Sequence, residues 1–106
     1  MAKYLITASY TAEGVKGLLK GGGTARADAV TKTIAGLGGT LESFHFAFGA
    51  DDAIVIVDLP DNVSAAAVGL AAAATGLTTA RTTVLLTPDE IDRAAQLQVN
   101  YSPPGK

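Results

Sequence analysis

The chain has 106 residues, 48% of them hydrophobic and 17% charged, with a net charge of −2 and a mean hydropathy of +0.30. That length is one domain with a small core, and no basic patch or arginine-rich run offers the electrostatic footprint that nucleic acid needs. With no cysteine there is no disulfide framework and no thiolate metal site, and no stretch approaches the ~18–20 continuous apolar residues of a membrane helix.

Residues 3–10 alternate, with Tyr4, Ile6, Ala8 and Tyr10 on one face and Lys3, Leu5, Thr7 and Ser9 on the other. This predicts a strand with one wholly apolar or aromatic side. Thr11 then offers a helix N-cap, with Glu13 in the first turn, where the helix dipole favours negative charge. Val15, Leu18 and Leu19 form a short amphipathic segment that Gly21, Gly22 and Gly23 must interrupt, since each glycine costs a helix about 1 kcal/mol relative to alanine. Thr24 is the expected cap of a second segment, along which Ala27, Val30, Ile34 and Leu37 recur at helical spacing. Gly36, Gly38 and Gly39 end it.

Residues 41–61 read as two strands joined by a turn at Gly49–Asp52. The first carries the only histidine, His45, among Phe44, Phe46 and Phe48. The second, Ala53–Leu59, is apolar and β-branched on both parities, so burial on both faces is expected. Pro60-Asp61-Asn62 is a turn, and Asp61 or Asn62 can cap an alanine-rich helix over residues 63–74, whose thin side chains allow close approach of another backbone. Gly76 ends that helix, and residues 78–86 form a last strand. Thr87-Pro88-Asp89-Glu90 is a capping box with proline at the first helical position, opening a helix expected to reach Val99. Residues 101–106 carry two prolines and are expected to lie extended as a tail after a single domain over residues 1–100.

The order is therefore β-α-β-β-α-β-α. Two right-handed strand-helix-strand units give an α+β fold, a ferredoxin-like βαββαβ antiparallel four-stranded sheet with helices on one face and an extra C-terminal helix. The first and third strands lie in the middle. The other sheet face has too few polar residues to meet water, so a second copy packed against it is expected, a homodimer or higher homo-oligomer with a chamber between the sheets.

At this level the chain resembles the GYD-domain family of small bacterial and archaeal proteins. The stretches that carry the resemblance are Tyr4-Leu5-Ile6-Thr7-Ala8-Ser9-Tyr10-Thr11, Gly14-Val15-Lys16-Gly17, Leu37-Gly38-Gly39, Phe48-Gly49 through Asp52, Ile54 through Asp61, and Arg81-Thr82. The resemblance implies the dimeric α/β barrel variant of the ferredoxin-like class. The family's glycine-tyrosine-aspartate turn reads Gly49-Ala50-Asp51-Asp52 in this chain, with no tyrosine. Proteins of similar fold include metal-free monooxygenases, heme-binding enzymes, and small-molecule binding or assembly domains.

His45 is the one side chain whose unperturbed pKa lies near neutrality. By strict alternation it shares a face with Leu41, Ser43 and Ala47. It is a candidate general base or axial ligand, or a histidine satisfied by a backbone carbonyl. Tyr4 and Tyr10 either line a pocket or fill the core. Asp51 and Asp52 are two carboxylates in a turn, too few ligands for a metal site. Asp58 and Glu42 need partners inside apolar strands, and Arg81 is the expected counter-charge, with Lys16 and Arg26 as others. The glycine-rich residues 20–26 lack both the P-loop spacing and G-x-G-x-x-G.

The expected ligand-binding set is thus Tyr4, Tyr10, His45 and Arg81, with no metal and no cofactor. The expected function is a small oligomeric protein without catalysis that binds a small apolar or aromatic molecule or serves as an assembly module. The alternatives are a cofactor-independent monooxygenase-like enzyme using His45 and a purely structural self-associating domain. The N-terminal stretch lacks the long apolar core and cleavage site of a signal peptide, so the expected compartment is the cytoplasm.

Overall fold

The computed structural model describes residues 1–105. The elements are β1 (Ala2–Tyr10), α1 (Ala12–Gly21), α2 (Gly23–Gly36), β2 (Thr40–Phe46), β3 (Ala53–Leu59), α3 (Asn62–Ala74), β4 (Thr78–Leu85) and α4 (Pro88–Ala95). One antiparallel sheet has the order β2-β3-β1-β4. This is the α+β, ferredoxin-like arrangement that the alternation and caps predict. No helix among the described residues is long and apolar enough to cross a membrane.

The helix boundaries follow local chemistry. The Thr11 hydroxyl accepts the Gly14 N–H at 3.2 Å and starts α1. The Asp61 carboxylate accepts the Ser64 N–H at 2.9 Å and starts α3. Thr87 and Glu90 form the full capping box of α4. The break between α1 and α2 is a single residue, Gly22, at φ +88°, a left-handed value that a side chain would strain. Gly22 is also the cap of α2, which begins two residues earlier than Thr24 predicts. α4 stops at Ala95 rather than Val99, because no packing partner extends it beyond its cap.

The core lies on one side of the sheet. Tyr4, Ile6, Val55, Val57 and Leu59 meet Ile34 of α2 and Ala65 of α3. The register explains the choice: Tyr4 pairs with Val57, Ile6 with Val55 and Ala8 with Ala53, so apolar residues of one parity line up across β1 and β3. The other parity of β3 is not buried within the chain: Ile54 is 39% exposed, and Ile56 and Asp58 are half-buried. The expectation of burial on both faces fails for the single chain because all the helices that pack on the sheet lie on one side.

A bulge between Leu41 and Ser43 shifts β2 by one residue. Leu41, opposite Val57, therefore joins Phe44 on the helix-covered side, not His45. On the open face His45, Ile54, Thr7 and Arg81 form one transverse row from edge to edge.

Glycine is obligatory where backbones meet at the start of α1. A Cβ on Gly14 would collide with the carbonyl oxygen of Leu77. The same carbonyl accepts the Thr11 N–H at 2.9 Å, while the Thr11 hydroxyl donates to the Gly76 carbonyl at 3.1 Å. One threonine thus caps α1 and fastens it to the α3–β4 turn.

Candidate functional site

The open sheet face carries the charged groups. Lys3 reaches Glu42 at 3.0 Å and Asp58 at 3.3 Å. The hydrogen bond to Glu42 first, and that to Asp58 with it, holds the Lys3 pKa above its ordinary value. Arg81 is not the partner of these acids. It grips Asp51 through two bonds of 2.9 and 3.0 Å. The register decides this: Lys3 lies directly opposite Asp58, whereas Arg81 lies on the row of Thr7 and reaches toward the β2–β3 turn.

That turn is built from its acids. The Asp52 carboxylate accepts the Tyr10 N–H at 2.8 Å, and the Asp52 carbonyl accepts the Ala47 N–H at 2.8 Å. Gly49 lies at the exposed apex beside the fully exposed Phe48. Among the described residues no group of three or more His, Asp and Glu side chains is arranged to hold a metal ion.

The four residues expected to bind a ligand fall on two faces. Tyr4 is 1% exposed, and its hydroxyl donates to Asn62 Oδ1 at 2.7 Å, so it is core with a satisfied polar end. Tyr10 lies on the same helix-covered side and lines a cavity. His45 and Arg81 lie on the open face, both exposed. Within one chain the structure does not bring the four together.

The cavity has a volume of about 230 Å³ and lies between the sheet and helices α2 and α3. Its origin is steric. The sheet row under it is Phe46, Ala53, Ala8 and Ala80, three of the four being alanine. Gly69, Ala71 and Ala72 of α3 face it from above. Small side chains on both layers leave space where larger ones would meet. Ile6, Phe44, Val55 and Val68 make the remaining wall apolar, and Thr78, the one buried polar residue among those described, lies at the end. A second cavity of about 350 Å³ lies beneath the α1–α2 break and shares Tyr10, Arg26, Ala72 and Thr78 with the first. The alanine-rich helix thus leaves a chamber where close backbone packing was expected.

Sequence reasoning missed Arg26 and Gly69 as cavity residues. Their signal would have been the run of small residues in α3 facing small residues on the strands, which becomes visible only when the register is known.

The architecture defines the chain as a small α+β module with a partly open, mostly apolar cavity between its helix layer and a single sheet. It belongs to the GYD domain family, whose model matches residues 4–95 and so takes in every strand and helix but the first two residues of β1. Neither the curated proteins nor the solved structures contain a significant match to it.

Proposed function

We propose that the protein is a non-catalytic, self-associating module that binds a small apolar or aromatic molecule in the cavity between the sheet and α3. The observation that carries this reading is the cavity itself, apolar along most of its wall and of a size that suits one ring. An apolar cavity of about 150 Å³ elsewhere stays dry and takes up benzene, and this one is about 230 Å³.

Self-association is supported by the open face, where Leu5, Ile54 and Ile56 sit centrally between the Lys3–Asp58 pair and the Arg81 end of the sheet. An apolar centre with a charged rim is the usual anatomy of an interface. The occupant is a second copy, because the face carries both members of each ion pair and needs no partner of opposite charge.

The monooxygenase-like reading draws no support from this arrangement. His45 is exposed on the sheet face opposite the cavity. The purely structural reading leaves the cavity without a role.

The test is native mass spectrometry of the purified protein, with identification of any small molecule that travels with it. The expected result is a dimer mass that falls to the monomer in Ile56→Glu, with an apolar ligand retained. A native protein that stays monomeric at high micromolar concentration overturns the self-association. A cavity that takes up no small apolar probe overturns the ligand.

A further inference from the structure

The geometry points to a small organic carboxylate as the cavity's ligand, an aromatic or branched apolar body held under α3 with its anionic end on Arg26. This deepens the ligand-binding reading above and rests on it.

Among the described residues Arg26 is the only charged one lining either cavity. It lines both, so it stands where the two chambers meet, beside Tyr10 and Thr78. Among the described residues it forms no ion pair, although Lys3, Lys16, Arg81 and Arg93 all do. A guanidinium without a carboxylate, at the edge of an apolar chamber, has its planar fork of donors available for a ligand. Carboxylate fits that fork with two parallel bonds. A cationic ligand would meet Arg26 and no counter-charge, because no acid among the described residues lines either chamber. A neutral one would leave the fork unused.

The two parts of the ligand follow from the two parts of the wall. Ile6, Phe44, Val55 and Val68 offer only apolar contact, which sets the body. Arg26, with Tyr10 and Thr78 on the same shared wall, sets the head. Arg26 is exposed and sits in the second turn of α2, so its replacement removes the charge without disturbing the core.

The test is an NMR titration of the full chain with benzoate, benzamide and benzylamine, following the backbone amides of Arg26, Gly69 and Ala72. Arg26→Gln and Gly69→Leu are titrated in parallel. A Cβ on Gly69 meets nothing within 4 Å, so a leucine there has room to start into the chamber, and a far-UV spectrum and thermal melt of the variant check that it folds. The expected result is that benzoate shifts these amides, benzamide binds roughly tenfold more weakly and benzylamine does not bind. Arg26→Gln lowers benzoate affinity roughly tenfold, to the level of benzamide. Gly69→Leu abolishes binding of both.

Equal affinity for benzoate and benzamide, or an Arg26→Gln variant that binds benzoate as well as the native chain, overturns the carboxylate assignment and leaves the cavity reading standing. Shifts confined to residues outside the two chambers overturn the assignment as well. Absence of shifts with all three probes overturns both readings.

Discussion

The Asp52 carboxylate accepts the backbone N–H of Tyr10 at 2.8 Å, joining residues 42 positions apart. The Asp52 N–H donates to the Ala8 carbonyl at 2.8 Å in the same place. The hairpin turn is therefore locked to the end of β1, where Tyr10 lines both cavities. Asp52→Ala leaves the Tyr10 N–H without its partner and is expected to cost about 1–2 kcal/mol. Asp52→Asn keeps an acceptor oxygen and loses less. Urea unfolding at neutral pH measures both.

Two glycines should respond to alanine in opposite directions. Gly69 lies inside α3 with open space where a Cβ would go. Gly69→Ala is expected to stabilise by about 0.5–1 kcal/mol through the lower backbone entropy of the unfolded chain. Gly14→Ala must push the Leu77 carbonyl aside, and a loss of about 1–3 kcal/mol is expected. Thermal melts of the two variants side by side check the contrast.

The Thr11 hydroxyl serves two segments, so its removal is expected to exceed the loss of a helix cap alone. Thr11→Ala loses the bond from the Gly14 N–H and the one to the Gly76 carbonyl, and about 1–2 kcal/mol is expected. Thr11→Ser keeps both and should restore most of it. Chemical denaturation of the pair separates the hydroxyl from the methyl.

Acid should weaken the protein from the α3 end. The backbone N–H of Ser64, and then its hydroxyl, hold the Asp61 carboxyl below its ordinary value of 3.8. A group with a lowered folded pKa stabilises fully above its unfolded value and loses that contribution as pH falls through the folded one. Stability from Asp61 is therefore expected to be flat near neutrality and to decline below about pH 4. Asp61→Asn, which still caps, should flatten part of that decline in melting curves. Glu90 is lowered in the same direction by the Thr87 N–H, but its effect should appear in the helicity of α4 and not in global unfolding, since α4 has no buried residue.

Hydrogen exchange should grade the elements. β1 and β3 are the central strands and carry most of the core, so their amides are expected to exchange only through global opening. α4 has eight residues, with Ile91 51% exposed. A helix of that length with no packed face is marginal in water, and its amides are expected to exchange orders of magnitude faster in dilute solution. Protection of α4 equal to that of β1 in the monomer would contradict this.

The sequence by itself determined the order of elements, the caps at Thr11 and Thr87, a cap at Asp61 or Asn62, the break at Gly21–Gly23 and the apolar parity of β1, and with them the fold class. Those features depend on side-chain spacings of two to four residues and on backbone groups close by in the chain, so a linear reading reaches them. The tertiary structure alone decided the rest. The β2 bulge moved Leu41 away from the side of His45. Cross-strand register gave Lys3, not Arg81, to Glu42 and Asp58. The chamber beside Arg26 exists because small residues of α3 come to face an alanine row contributed by three different strands. Register and empty volume arise from segments far apart in sequence, where no local pattern of residues records which neighbour each will meet.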